Sequence, residues 1–153
     1  MLTNLPRKDR VASLRSDAGL ASALRVSLAR LTRRLRRQAA VHSLTPTQLA
    51  TLATVERNSG ITPGELADLE KVQPPSMTRV IAALADRGLV SRTPHPTDRR
   101  QVSVSVTEEG STLLGEERRL KDAWLTQRLK ELTPEERATL RQAAPILEKL
   151  SRI

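Results

Sequence analysis

The chain has 153 residues, enough for one compact domain and short for two, and carries 26 Lys and Arg against 17 Asp and Glu, a formal charge of +9; a balance this basic favours a polyanionic partner such as nucleic acid. It contains no cysteine, which excludes disulfides, thiolate catalysis, thiol redox sensing and Cys-based zinc sites. Trp124 is the only aromatic side chain, so the core must be aliphatic packing of helices rather than a β-sandwich or barrel, and no stretch approaches the roughly 18 apolar residues of a membrane span.

In chain order, residues 1–17 read as a basic, disordered arm. The opening MLTNLPRKDR lacks the apolar centre of a secretory signal. An Arg-rich start also fits an organellar transit peptide, but Asp9, Asp17 and the helical pattern that follows favour the cytoplasm of a bacterium. Leu20, Leu24, Leu28, Leu31 and Leu35 recur at spacings of four, four, three and four, one stripe of a long helix beginning near Gly19. A stripe that narrow wants a partner helix. The charge excess lies in the same segment: residues 1–45 hold ten Lys and Arg against two Asp and Glu, whereas residues 46–107 hold seven against six and residues 108–153 nine against nine. Its densest run, Arg30, Arg33, Arg34, Arg36 and Arg37, fits a solvated helix face and a phosphate contact equally well.

Three later helix starts are written in one device. In TPTQ, TPGE and TPEE, Thr45, Thr62 and Thr133 stand as N-caps, a proline opens the helix, and Gln48, Glu65 and Glu136 follow three residues after the cap. The first of these helices should end near Asn58 and Gly60. A short helix from Thr62 to about Glu70, a turn at Lys71–Gln73 and a longer helix from Pro74 to Gly88 then have the form of a helix-turn-helix. Beyond Leu89 the pattern turns from helical to alternating, with Val102, Val104 and Val106 facing one way and Ser103 and Ser105 the other. With Leu89–Thr93 before it and HPTDRRQ between, this reads as a β-hairpin that must pack on helices. Thr107 can cap a further helix, weakened locally by Gly110. Leu113, Leu120, Trp124, Leu129, Leu132, Leu140, Leu147 and Leu150 then mark two terminal helices.

The expected fold is mainly α with a small β-hairpin wing, a winged helix-turn-helix with N- and C-terminal dimerisation helices. Residues 18–153 form a single domain, of which 45–107 are the winged helix-turn-helix and 18–44 and 108–153 the dimerisation helices. Leucine stripes at both ends, represented by Leu20, Leu24, Leu129, Leu140 and Leu147, exceed what a small central core needs and point to a homodimer. The first turn of the helix from Pro74 offers Gln73, Pro74, Pro75, Ser76, Met77, Thr78 and Arg79 to the major groove. Arg79 can fork onto guanine or a phosphate, Gln73 can read an adenine edge, and Ser76 and Thr78 can bond either. Pro74 and Pro75 open the helix and add apolar contact. At the hairpin tip Arg99 and Arg100 can enter the minor groove, and Asp98 either holds one of these arginines or holds the turn.

The segment GLVSRTPHPTDRRQVSVSVTEEG resembles the wing signature of the MarR family, with its D-x-R core, and PPSMTRVIAALADRGLV resembles that family's recognition helix. The likeness runs over roughly residues 20–150. It implies a two-fold dimer, formed by the terminal helices, that binds duplex DNA at a palindromic operator, often as a repressor released by a small-molecule effector. Asp98 and Arg100 match the family's wing pair, and Gln73, Ser76, Thr78 and Arg79 its recognition-helix positions. Oxidant sensing through cysteine is excluded here. Trp124 is the sole candidate for an aromatic pocket wall, and His42 reads as a helix-end cap partner or as a lining residue beside it. No cofactor, metal site or catalytic constellation is expected: His42 and His95 are the only histidines, and there is no glycine-rich phosphate loop. The rival reading is a winged helix that serves as a protein-interaction or RNA-binding module.

Overall fold

The computed structural model describes residues 15–38, 43–98 and 100–152. The residues 1–14 of the expected arm, His42 and Arg99 lie outside these. The described chain runs α1 (Asp17–Gln38), α2 (Pro46–Arg57), α3 (Pro63–Glu70), α4 (Pro74–Asp86), β1 (Val90–Pro94), β2 (Val102–Val106), α5 (Glu108–Leu129) and α6 (Pro134–Ser151). It divides into two compact units, one Ala40–Asp122, the other the described part of Met1–Ala39 together with Ala123–Ile153.

The first unit is a helix trio closed by the hairpin. All three TP-x-E/Q starts are capping boxes, with Thr45, Thr62 and Thr133 each accepting from the N3 amide while the N3 side chain accepts from the cap amide. That fixes where α2 and α3 begin, and therefore which faces they turn inward. Leu52 and Val55 of α2, Leu66 and Ala67 of α3, and Met77, Ile81 and Leu84 of α4 bury together with Ile61, Leu89, Val90, Val104 and Leu114. Met77, offered to the groove by sequence reasoning, is instead fully buried, and the hydroxyl of Thr51 donates to its sulfur. The helical period places it on the same face as Ile81 and Leu84, and core burial outweighs exposure for so large an apolar side chain.

Two left-handed residues set the corners. Lys71, at φ 52, ends α3, and the amide of Val72 then reaches back to Ala67 O at 2.9 Å. Gly88, at φ 70, ends α4, with its own amide on Ala85 O at 2.9 Å and that of Leu89 on Leu84 O at 3.0 Å. Both ends are six-to-one capped turns that return the chain across the helix end.

The hairpin pairs Val90 with Val106 through to Pro94 with Val102. It is also bonded along its other edge: Ile61 forms a bridge to Val104, with Gly60 N donating to Val104 O at 3.1 Å and Val104 N to Ile61 O at 2.8 Å. The alternation expected of β2 is only partly kept, with Ser105 and Val106 both half-buried. Val104 is fully buried, but Val102 is 40% exposed and Ser103 is buried. Val102 lies at the outer end of the strand, paired with Pro94, while Ser103 packs against Gly60, where an added Cβ would lie 3.3 Å from its Oγ. Gly110 departs from expectation in the opposite sense. A Cβ there would sit 2.2 Å from Leu89 O, so the glycine is what lets α5 start against β1. Thr107 anchors the same junction, donating to Gly88 O at 2.6 Å and accepting from Gly110 N at 3.1 Å.

In the second unit α1 starts two residues earlier than its leucine pattern suggested, Ser16 Oγ accepting from Gly19 N at 3.2 Å. Neither α1 nor α6 buries a residue. Leu20, Leu28, Leu140, Ile146 and Leu150 are all exposed. Helix α6 continues through Pro145, whose missing N–H leaves the Arg141 carbonyl without its helical donor. Among the described residues no helix is long and apolar enough to cross a membrane.

Candidate nucleic-acid interface

The outward face of α4 is set by the burial of its other face. With Met77, Ile81 and Leu84 turned inward, Arg79 stands opposite them, exposed, and makes no ion pair with a carboxylate among the described residues. Gln73, Pro74, Pro75, Ser76 and Thr78 are exposed around it. The start of the helix is unusual in needing no cap. Pro74 and Pro75 have no N–H, and Ser76 N and Met77 N both reach Gln73 O, at 2.9 and 3.0 Å. Gln73 therefore makes no side-chain cap bond. The same prolines remove the backbone donors that would otherwise hold a phosphate at a helix N-terminus, so contact here falls to side chains. Thr78 is partly committed, its hydroxyl donating to Pro74 O at 3.0 Å, which leaves its oxygen as an acceptor.

At the wing tip Asp98 bonds to the turn's own donors. Its Oδ1 accepts from Arg100 N at 3.0 Å and its Oδ2 from Gln101 Nε2 at 3.1 Å. Gln101 N closes onto Asp98 O at 2.9 Å and His95 N onto Gln101 O at 3.0 Å. The carboxylate thus holds the turn. The Arg100 side chain is exposed and unpaired with any carboxylate among the described residues. Asp98 keeps its charge while it closes the turn, so what it supplies is order: a turn fixed by these bonds lowers the entropy of placing the guanidinium.

Behind this surface α2 is tied to α5. Arg118 grips Glu56 with both guanidinium ends, at 2.6 and 3.1 Å, and Ser111 donates to the same carboxylate at 3.2 Å. The Arg118 bond holds the Glu56 carboxyl below the usual carboxylate range, with the Ser111 hydroxyl adding to it against a partial desolvation.

A model of the MarR family matches residues 44–102, the stretch that holds α2, α3, α4 and the wing. An HTH-type transcriptional regulator of Mycobacterium tuberculosis is 48% identical over 134 residues, covering 88% of this chain and 94% of that protein. The chain belongs to the MarR family. It is accordingly a transcription regulator with a DNA-binding winged helix-turn-helix. The HTH-type transcriptional repressor MdtR of Bacillus subtilis is 32% identical over 108 residues, 71% of this chain and 68% of that one. Among solved structures, a transcriptional regulator protein from Pseudomonas aeruginosa superposes with a TM-score of 0.82 at 32% identity, covering 90% of this chain and 96% of that one.

Within this MarR-family frame Lys71 and Arg92 are exposed cations that had no role in the sequence reading. Lys71 sits in the turn leading into α4, and Arg92 stands on the arm of the wing. Arg92 was masked by its register, since it pairs across from Val104 and alternation alone puts it on the apolar face. Lys71 carried no signal, because nothing in its type announces a left-handed position. The leucines expected at a dimer interface lie on three helices, with Leu20 and Leu140 exposed and Leu24, Leu129 and Leu147 half-buried.

Proposed function

We propose that the protein is a sequence-specific regulator that binds an inverted repeat in duplex DNA as a homodimer, acting as a repressor relieved by a small effector. The observation that carries the DNA reading is Arg79, exposed at the middle of the outward face of α4 and paired with no carboxylate among the described residues, where a recognition helix meets base edges. Arg100 on a turn braced by Asp98 supplies the accompanying minor-groove contact. Gln73, Ser76 and Thr78 flank Arg79 as further readers, Pro74 shapes the approach, and Arg99 adjoins Arg100 at the tip. The role is binding rather than catalysis, and a site of action on the chromosome places it in the cytoplasm. Repression follows the Bacillus subtilis relative, which is named a repressor, and release by an effector follows the family.

Dimerisation is supported by the helices outside the central unit. An isolated helix in water gains little from propensity alone, and an interior proline costs about 3 kcal/mol. Helix α6 contains Pro145 and has no fully buried residue, while presenting Leu140, Ile146 and Leu150. A second copy that covers these side chains together with Leu20 and Leu24 of α1 supplies the missing burial.

The test is duplex binding by Arg79→Ala and Arg100→Ala. Each substitution is expected to weaken binding to the operator by about 1–3 kcal/mol, with Arg79→Ala also relaxing preference at one base position. Wild-type affinity in both variants would move the reading to a protein-interaction or RNA-binding winged helix.

A further inference from the structure

Helix α1 carries six arginines and a single acid, Asp17 in its first turn. Arg30, Arg33, Arg34 and Arg37 stand at i, i+3, i+4 and i+7, one face of the helix, and Arg36 adjoins it; all five are exposed. The leucines Leu20, Leu24, Leu28, Leu31 and Leu35 occupy a different stripe, so a partner covering them leaves the arginine face outward. None of the five arginines pairs with a carboxylate among the described residues. The contrast with α5 and α6 is direct, since there Lys121, Arg128 and Arg152 pair with acids three or four residues away. Arginines at i, i+3 and i+4 repel one another along a helix. The last turn is a favourable place for Arg36 and Arg37, but Arg30, Arg33 and Arg34 lie beyond its reach. A surface of this kind is stabilised by a polyanion.

We propose that this face is a second nucleic-acid contact, in which Arg30, Arg33, Arg34 and Arg37 grip the phosphate backbone of duplex DNA without reading its sequence. The choice of duplex DNA rests on the function proposed above. Seven residues of helix span about 10 Å, over which a duplex presents on the order of six phosphate charges. Guanidinium forks match phosphate oxygens in pairs. The face therefore contributes to affinity and to its salt dependence, and nothing to operator preference.

The experiment uses the full chain with Arg30→Gln, Arg33→Gln, Arg34→Gln and Arg37→Gln combined, titrated against a scrambled-sequence duplex over a series of salt concentrations. Log affinity against log salt is expected to lose about 3–4 units of slope, near 0.9 for each phosphate contact removed, and affinity at low salt to fall at least tenfold. The preference for the protein's own upstream duplex over the scrambled one should stay unchanged. Should the fourfold variant fail to fold by circular dichroism, Arg33→Gln with Arg37→Gln should lose about 2 units. Replacing all four by lysine should keep most of the slope. An unchanged slope in a folded glutamine variant overturns the proposal, and so does a wild-type face that binds RNA or polyglutamate more tightly than duplex DNA. Failure of the operator reading shows instead as no difference between upstream and scrambled duplex, a separate readout.

Discussion

At position 110 two effects of known size oppose each other. Glycine inside a helix costs about 1 kcal/mol relative to alanine, which by itself makes Gly110→Ala stabilising. A Cβ there, however, meets the Leu89 carbonyl oxygen at 2.2 Å and Val106 Cγ2 at 2.8 Å. Because the nearest atom is backbone, α5 and β1 must part, and overpacking of this kind costs about 3 kcal/mol. The clash wins, and urea unfolding of Gly110→Ala should give a lower midpoint with an unchanged slope. Gly115, in the same helix with nothing within 4 Å of an added Cβ, is the control, and its alanine variant should gain up to about 1 kcal/mol. Stabilisation of both would mean that α5 starts farther from β1. Sequence reasoning saw Gly110 only as a weak helix former, because its value lies in a neighbour some twenty residues away in the chain. The threonine caps were legible for the opposite reason: cap, proline and N3 partner all lie within four residues.

Among the elements, the bond between α2 and α5 makes stability depend on pH. The folded-state pKa of Glu56 is depressed, chiefly by the Arg118 hydrogen bond. Its contribution is therefore present above the unfolded carboxylate value and is lost as pH falls through the folded one. With Arg118 largely open to solvent, the pair is worth about 0.5 kcal/mol. Glu56→Gln should cost that much near neutrality, and wild type and variant should converge below pH 4.5, the ordinary value for the group; a gap that persists in acid would assign the effect to packing. Neither partner was singled out from sequence, since they lie 62 residues apart. The same limit explains β2. Alternation identified the strand and its buried Val104, but where the hairpin leaves the core is fixed by the Ile61 bridge, which no local pattern encodes. Helix α3 was readable almost to the residue because its capping box and period agree, and α4 because its two opening prolines and the left-handed Gly88 bracket the period.

At the scale of the molecule, the exposed leucines on α1 and α6 and the proline within α6 are the features on which the proposed homodimer rests. Sedimentation at micromolar concentration should give twice the 16.9 kDa chain mass. Leu20→Glu combined with Leu140→Glu should shift it to the monomer and weaken operator binding, whereas a monomeric wild type would remove the dimer from the account. In the dimer the two α4 helices should stand about 34 Å apart, one turn of DNA. Net charge could not locate the interface from sequence, because the excess is concentrated in α1 and the arm rather than in the nearly neutral winged helix-turn-helix. The proposed interface rests instead on the order of elements, with Arg79 on the helix and Arg100 on the wing.

The most direct measurement is a fluorescence-anisotropy titration of the intact protein on duplex DNA from its own upstream region, against scrambled duplex and RNA, at two salt concentrations. Tight binding to the upstream duplex alone, weakening as salt rises, is the predicted result. Equal, weak binding to all three would contradict it, leaving a basic protein whose winged helix serves another partner.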